Sequence, residues 1–202
     1  MKTVGYVLLM GGKSSRMGRD KAFLLYHGTH FWKKIADEMM KCGPTYLSLD
    51  SINRAPDTDC SLILDEYSSI GPIGGIYAGL LKVKEELVFV APCDMPVITA
   101  ELMHAIVGQY EDEYDGVILS GKDGRRYPTI GVYSKRLLPI IRDKIKNNDY
   151  RLMKLVNEQK FKVIPVETLI PEFELMNLNT WEDYLEFERR NTNKITCPEE
   201  FP

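Results

Sequence analysis

Positions 8 to 21 read LLMGGKSSRMGRDK: an apolar run stops at Gly11-Gly12, and four cationic residues follow (Lys13, Arg16, Arg19, Lys21). Backbone N–H groups of a glycine turn can wrap an anion, and Arg16 and Lys21 would add full positive charges. Two familiar phosphate loops fail on spacing. A P-loop ending in Gly12-Lys13-Ser14 needs its first glycine at position 7, which is Val7. The dinucleotide pattern G-x-G-x-x-G cannot be laid over GGKSSRMG. A surface loop with solvated lysines would use the same residues. The apolar run leading straight into the turn favours phosphate.

Two aspartates end apolar runs in the same way. Asp94 follows LVFVA and lies between Pro92 and Pro96, whose fixed backbone aims the carboxylate. Such a residue suits Mg²⁺, which takes one or two carboxylates and completes its shell with phosphate oxygens and water. An aspartate serving a turn is the competing reading. Asp65 closes LILD, where it could meet a ribose hydroxyl, a base or a metal-bound water, or simply end the strand. Arg125, Arg126 and Arg151 could bind a second anion only as a set. The histidines (His27, His30, His104) have no zinc spacing, and no G-x-S-x-G or Cys–His pair suggests covalent catalysis.

These residues need a scaffold that brings them together. Short apolar runs at Val4–Met10, Thr45–Leu49, Leu62–Leu64, Leu87–Ala91, Val117–Leu119, Thr129–Tyr133 and Phe161–Val166 read as strands. Helical spacing is present at Phe31–Lys41 and Ile76–Val83, and from Thr99, Lys135 and Arg151 onward. Gly71 to Gly75 reads as a glycine-rich turn, and Thr180 with Asp183 as the start of a final helix to about Arg190. Strands alternating with helices predict a mostly parallel sheet covered on both faces. Ligands of such sheets bind beyond the carboxyl ends of the strands. The residues singled out above all follow strand ends. Residues 1–190 read as one domain, with 191–202 as a tail.

Composition narrows the class. A net charge of −3 over 202 residues gives no reason to expect nucleic acid or an anionic membrane as partner. Cys42, Cys60, Cys93 and Cys197 form no C-x-x-C pair, so reduced thiols in a cytoplasm are expected. The first apolar run is short for a leader, and no stretch reaches the roughly 18 apolar residues of a membrane span.

LLMGGKSSRMGRDK resembles the L-A-G-G-x-S-x-R-M-G-x-D-K signature of nucleotidyltransferases that act on molybdenum cofactor. Asp65 with GPIGG, then PCDMP, RRYPTIGVYS and MNLNTWEDY, resemble that family's later blocks in order. The likeness is closest to the molybdenum cofactor guanylyltransferases. It implies a Rossmann-like three-layer α/β/α fold and transfer of GMP from GTP to the terminal phosphate of molybdopterin, releasing pyrophosphate. By motif, Leu9, Met10, Gly11, Gly12, Lys21, Asp65 and Asp94 would bind nucleotide. Arg16, Lys21 and Asp94 would be catalytic, with Mg²⁺ on Asp94. Arg126, Arg151, Asn177 and Asn179 resemble positions on the molybdopterin side. Further partners implied are molybdoenzyme apoproteins or other cofactor-synthesis proteins.

Two departures stand out. Met10 replaces the family's alanine, which would narrow the base pocket. Asp50-Ser51-Ile52-Asn53 stands where the family often has asparagine after its second strand, so the residue reading the base there is unassigned. A cytidylyltransferase, a sugar-phosphate nucleotidyltransferase and a nucleotide-sensing module are the alternatives. Gly12, where cytidylyl members have alanine, and GPIGG favour guanylyl transfer. Intact Lys21 and Asp94 favour an enzyme.

Overall fold

The computed structural model describes residues 2–11, 21–26, 28–67, 69–171, 183–186 and 189. The strand β1 (Val4–Leu9) leads toward the glycine loop, whose residues 12–20 lie outside the described residues. The chain resumes in a 3₁₀ turn, Lys21–Phe23. A hairpin of β2 (Leu25–Tyr26) and β3 (Thr29–His30) leads into α1 (Phe31–Met40). Then follow β4 (Thr45–Leu49), β5 (Ser61–Leu64), α2 (Pro72–Lys82), β6 (Leu87–Pro92) and α3 (Ala100–Val107). The last elements of the main body are β7 (Gly116–Ser120), β8 (Arg126–Ser134), α4 (Leu138–Lys146), α5 (Leu152–Glu158), β9 (Phe161–Pro165) and α6 (Val166–Leu169).

Seven strands form one sheet in the order β5-β4-β1-β6-β8-β7-β9. Only β8 runs against its neighbours; the other pairings are parallel. Successive strand residues point to opposite faces, so each strand feeds two cores. In β1, Tyr6 and Leu8 join Phe89, Ile35 and Leu102 on the face covered by α1 and α3. Val7 and Leu9 join Val90, Ile76, Ile141 and Leu155 on the face covered by α2, α4 and α5. The result is the expected three-layer sandwich. Because both faces are covered, the central strands are apolar throughout rather than alternating.

The order also explains where a ligand can enter. From β1 the chain moves outward through α1 to β4 and β5, then returns through α2 on the opposite face to pair β6 with β1. The connections leaving β1 and β6 therefore run toward opposite edges of the sheet, one to β4 and the other to β7, while α1 and α3 cover the same face. Open α/β sheets bind ligands in the crevice at such a switch point. The antiparallel β8 contributes its beginning to this edge, so Arg126, at its first position, sits at the sheet's carboxyl end.

One local expectation is corrected. Gly71 to Gly75 is not a turn ahead of a helix at Ile76. The helix starts at Pro72, with Gly71 at its N-cap in the left-handed region (φ 80°). Proline suits a first helical position, where its missing N–H costs nothing. Thr99 caps α3 as expected, its side chain accepting from the Leu102 N–H. Thr180 lies outside the described residues; the helical stretch 183–186 docks on the hairpin through Tyr184, whose hydroxyl donates to the Leu25 carbonyl at 2.9 Å.

The β7–β8 pairing contains an irregularity at Ile118/Leu119. There a Cβ on Gly131 would lie 2.0 Å from the Val117 carbonyl oxygen, a backbone atom that cannot step aside. Gly131→Ala is therefore expected to cost about 1–3 kcal/mol, the scale of overpacking in a tight core. Chemical denaturation reads this directly; an unchanged midpoint would mean that the two strands separate freely at this point.

Candidate functional site

The strand registers place the candidate residues. Leu9 of β1 is level with Ser48 of β4 and Pro92 of β6, and Leu49 with Leu64 of β5. Continuing each register just past the strand ends puts Asp65, Asp50, Gly11 and Asp94 in one row, on four neighbouring strands. Hydrogen bonds carry the registers into this row. Met10 N–H donates to the Ser48 carbonyl at 2.9 Å, Asp65 N–H to Leu49 at 2.9 Å, and Cys93 N–H to Leu9 at 3.3 Å. Adjacent strands are about 4.8 Å apart, so Asp65 and Asp94 stand about 14 Å apart along the row.

Asp65 has a built seat. Its Oδ1 accepts the Ser48 hydroxyl at 2.5 Å. Its Oδ2 lies beside two glycines: a Cβ on Gly11 would be 3.5 Å away, and one on Gly75 3.7 Å. Gly75 is in the first turns of α2, where a Cβ would also approach Ser48 Oγ to 2.7 Å and Leu9 Cδ2 to 2.9 Å. Glycine there lets α2 press against β1 and β4 without displacing the serine. Burial pushes the Asp65 carboxyl up from its ordinary range; the Ser48 hydrogen bond opposes that, Asp50 adds to it, and Lys82 offsets part of it. Lys82 itself donates to the Leu64 carbonyl at 2.6 Å. Asp50 pairs with Arg54 at 2.8 Å. The row thus holds a carboxyl whose ionised form burial disfavours, which is costly unless it has a task.

Asp94 follows β6 at a half-buried position; Met95, next to it, is fully buried and anchors the turn. Among the described residues no three His, Cys, Asp or Glu side chains converge as a metal site. One carboxylate at this edge fits a hard cation that draws its remaining ligands from phosphate and water, and does not fit a protein-caged transition metal.

The other candidates divide. Leu9 and Met10 are both buried; Met10, 1% exposed, packs with Trp32, Ile35 and Leu49. Its side chain turns into the core. The period of the strand decides this: Met10 shares a face with Leu8. Lys21 opens the 3₁₀ turn, and Ala22 beside it is fully buried in the same core as Met10. The loop's return is thereby tied to the end of β1. Gly12 and Arg16 lie outside the described residues, as do Asn177 and Asn179.

Arg126 is exposed and donates to Asn157 Oδ1 at 2.9 Å. Arg151, preceding α5, pairs with Asp149 at 2.9 Å. That carboxyl is held well below its usual range by hydrogen bonds from Arg151 and Lys154. At 1.5 Å per residue, Asn157 and Arg151 are about 9 Å apart along the chain of α5. The two arginines bracket that helix rather than meeting at one point. Sequence reasoning missed Ser48 altogether. A serine within TYLSL belongs to no motif; only its 1% exposure and its bond to Asp65 mark it.

A family model described as the MobA-like NTP transferase domain matches residues 6–163. A probable molybdenum cofactor guanylyltransferase of Bacillus cytotoxicus is 30% identical over 193 residues, covering 92% of this chain and 96% of that protein. One from Flavobacterium johnsoniae is 28% identical over 190 residues, covering 91% and 95%. The crystal structure of molybdopterin-guanine dinucleotide biosynthesis protein A from Archaeoglobus fulgidus has the same fold. It aligns with a TM-score of 0.81 at 19% identity, over 94% of this chain and 99% of that one. The mostly parallel sheet, Gly11 at its switch point and the aspartates beyond its strands belong together: the chain is a nucleotidyltransferase of the MobA-like NTP transferase family.

Proposed function

We propose that the chain transfers GMP from GTP to the terminal phosphate of molybdopterin, giving the guanine dinucleotide form of the cofactor and pyrophosphate. The observation that carries this reading is the row Asp65–Asp50–Gly11–Asp94 at the switch point. Asp65 offers Oδ2 as an acceptor to the nucleoside. The Gly11-Gly12 turn, Arg16 and Lys21 hold the triphosphate, and Asp94 holds Mg²⁺. Guanine presents adjacent N–H donors on its pairing edge, whereas cytosine presents one donor beside acceptors, so a carboxylate acceptor suits guanine. The relatives' names point the same way.

The acceptor phosphate is already largely ionised at neutral pH and attacks the α-phosphorus in line, so no side chain need act as nucleophile. The chain's work is positioning and neutralising charge. Arg16 and Lys21 offset charge growing on the transferring group, and Asp65 fixes the nucleoside so that the α-phosphorus faces the acceptor. When bound, Mg²⁺ supplies Lewis-acid neutralisation of phosphate oxygens and of the departing pyrophosphate. We assign catalysis to residues 1–190 and the reaction to the cytoplasm.

Calorimetry with GTP and CTP, each with Mg²⁺, tests the nucleotide. Tighter GTP binding is expected, eroded by Gly12→Ala; equal affinities would sink the assignment. The acceptor is placed on the side of Arg126, Arg151, Asn177 and Asn179. Arg151→Ala should raise the KM for molybdopterin roughly tenfold, the scale of a lost charge-assisted hydrogen bond. GTP affinity should stay within about twofold. An equal loss of GTP binding would show that the two substrates do not occupy separate pockets.

A further inference from the structure

We infer that Ser48 is a positioning residue of the nucleotide site, which turns Asp65 so that one oxygen, Oδ2, is presented to the ligand between Gly11 and Gly75. The inference rests on the reading of Asp65 as a nucleotide contact. Ser48 is 1% exposed, at the fourth of five positions of β4, between the fully buried Leu47 and Leu49. A polar side chain so deep in a sheet needs a partner, and its hydroxyl donates to Asp65 Oδ1 at 2.5 Å. A carboxylate pinned through one oxygen has a fixed plane, leaving the other oxygen as the open acceptor.

The surrounding chain is arranged around this bond. Gly75 of α2 lies against the serine, and a methyl there would come within 2.7 Å of Ser48 Oγ. Any larger residue would push the hydroxyl off the carboxylate. The charged groups near Asp65 do not replace the serine. Asp50 at the end of β4 repels it and is itself paired with Arg54; Lys82 of α2 acts at a distance while its Nζ is bonded to the Leu64 carbonyl. The Ser48 hydrogen bond opposes the rise that burial and Asp50 impose on the Asp65 carboxyl. Its loss should leave Asp65 free to turn and easier to protonate.

A double-mutant cycle on the full chain separates this role from mere packing. GTP affinity is measured by calorimetry from pH 5 to 8 for the parent, Ser48→Ala, Asp65→Asn and the double variant. Ser48→Ala should weaken GTP about tenfold at neutral pH, as for a hydrogen bond to a charged group. It should also move the acid fall in affinity to higher pH. In the Asp65→Asn background, Ser48→Ala should change affinity less than twofold, and the acid fall should be absent. Equal losses in both backgrounds, or no loss in the parent, would overturn the inference. Should Ser48→Ala not fold, Ser48→Cys, which keeps the shape and nearly removes the donor, carries the same cycle. A parent that binds another nucleoside triphosphate in place of GTP would refute the guanylyl reading alone, and the cycle run with that nucleotide still decides the role of Ser48. A parent that binds no nucleotide would refute both.

Discussion

Asp94→Asn is expected to lower the rate of GMP transfer by at least about a hundredfold, the scale seen when one preorganised charge-stabilising group is lost. The residue stands at one end of the edge row, level with Gly11, where the triphosphate would lie. Pro92, still within β6, and the buried Met95 fix its backbone from both sides. Asparagine keeps the size and the turn geometry but removes the charge that retains Mg²⁺ against water. Folding should be spared. Nucleotide binding without metal should change little or tighten, because a carboxylate near phosphates repels them until the cation arrives. The measurement is GMP transfer across a Mg²⁺ titration, with the melting temperature as control. A variant that melts normally and transfers GMP near the parent rate would reduce Asp94 to a turn residue.

Asp65→Asn should separate function from stability. It replaces the open acceptor at the far end of the row, so nucleotide affinity should fall by roughly ten- to a hundredfold, about 1.5–3 kcal/mol for a hydrogen bond to a charged group. The folded protein should lose nothing. Burial and Asp50 raise the Asp65 carboxyl above its unfolded value, so its ionised form is disfavoured in the fold. The sign follows from linkage: between the unfolded and the raised folded value, the native state binds more protons. The contribution of this group to stability is therefore full at acid pH and is lost as pH rises through the folded value. Above the folded value the parent carries the penalty of a buried charge, and the neutral amide removes it. Asp65→Asn should thus melt no lower than the parent at pH 7. A clear fall in melting temperature with intact GTP binding would make Asp65 structural. The acid fall in GTP affinity expected of the parent should vanish in the same variant.

How much of this was legible before the fold was known depends on the kind of signal. Strands such as Val4–Leu9 and Leu87–Pro92 announce themselves because both faces of a parallel sheet are buried. The aspartates after them then fall at the carboxyl edge by necessity. GPIGG misled because glycine normally marks a turn; here Gly74 and Gly75 sit inside α2 so that the helix can lie close on the sheet. Close approach is a tertiary demand, invisible in a local window. Met10, just past the end of β1, continues the strand's alternation into the core, which its place in a motif does not reveal. Ser48 and the row itself were out of reach: they exist only through the registers of four strands separated by up to 83 residues, from Gly11 to Asp94. The resemblance supplied the residue roles, and the registers supplied their spacing.

The central claim is the pairing of substrates, and one assay tests it most directly. The purified chain is incubated with Mg²⁺, GTP and molybdopterin, and both pyrophosphate and the dinucleotide product are quantified, with CTP or a sugar phosphate substituted in parallel reactions. The account predicts pyrophosphate release that requires molybdopterin and GTP together, in equal amount to a guanine dinucleotide product. Equal turnover with CTP, transfer of GMP to the sugar phosphate instead, or nucleotide binding with no pyrophosphate released would contradict it.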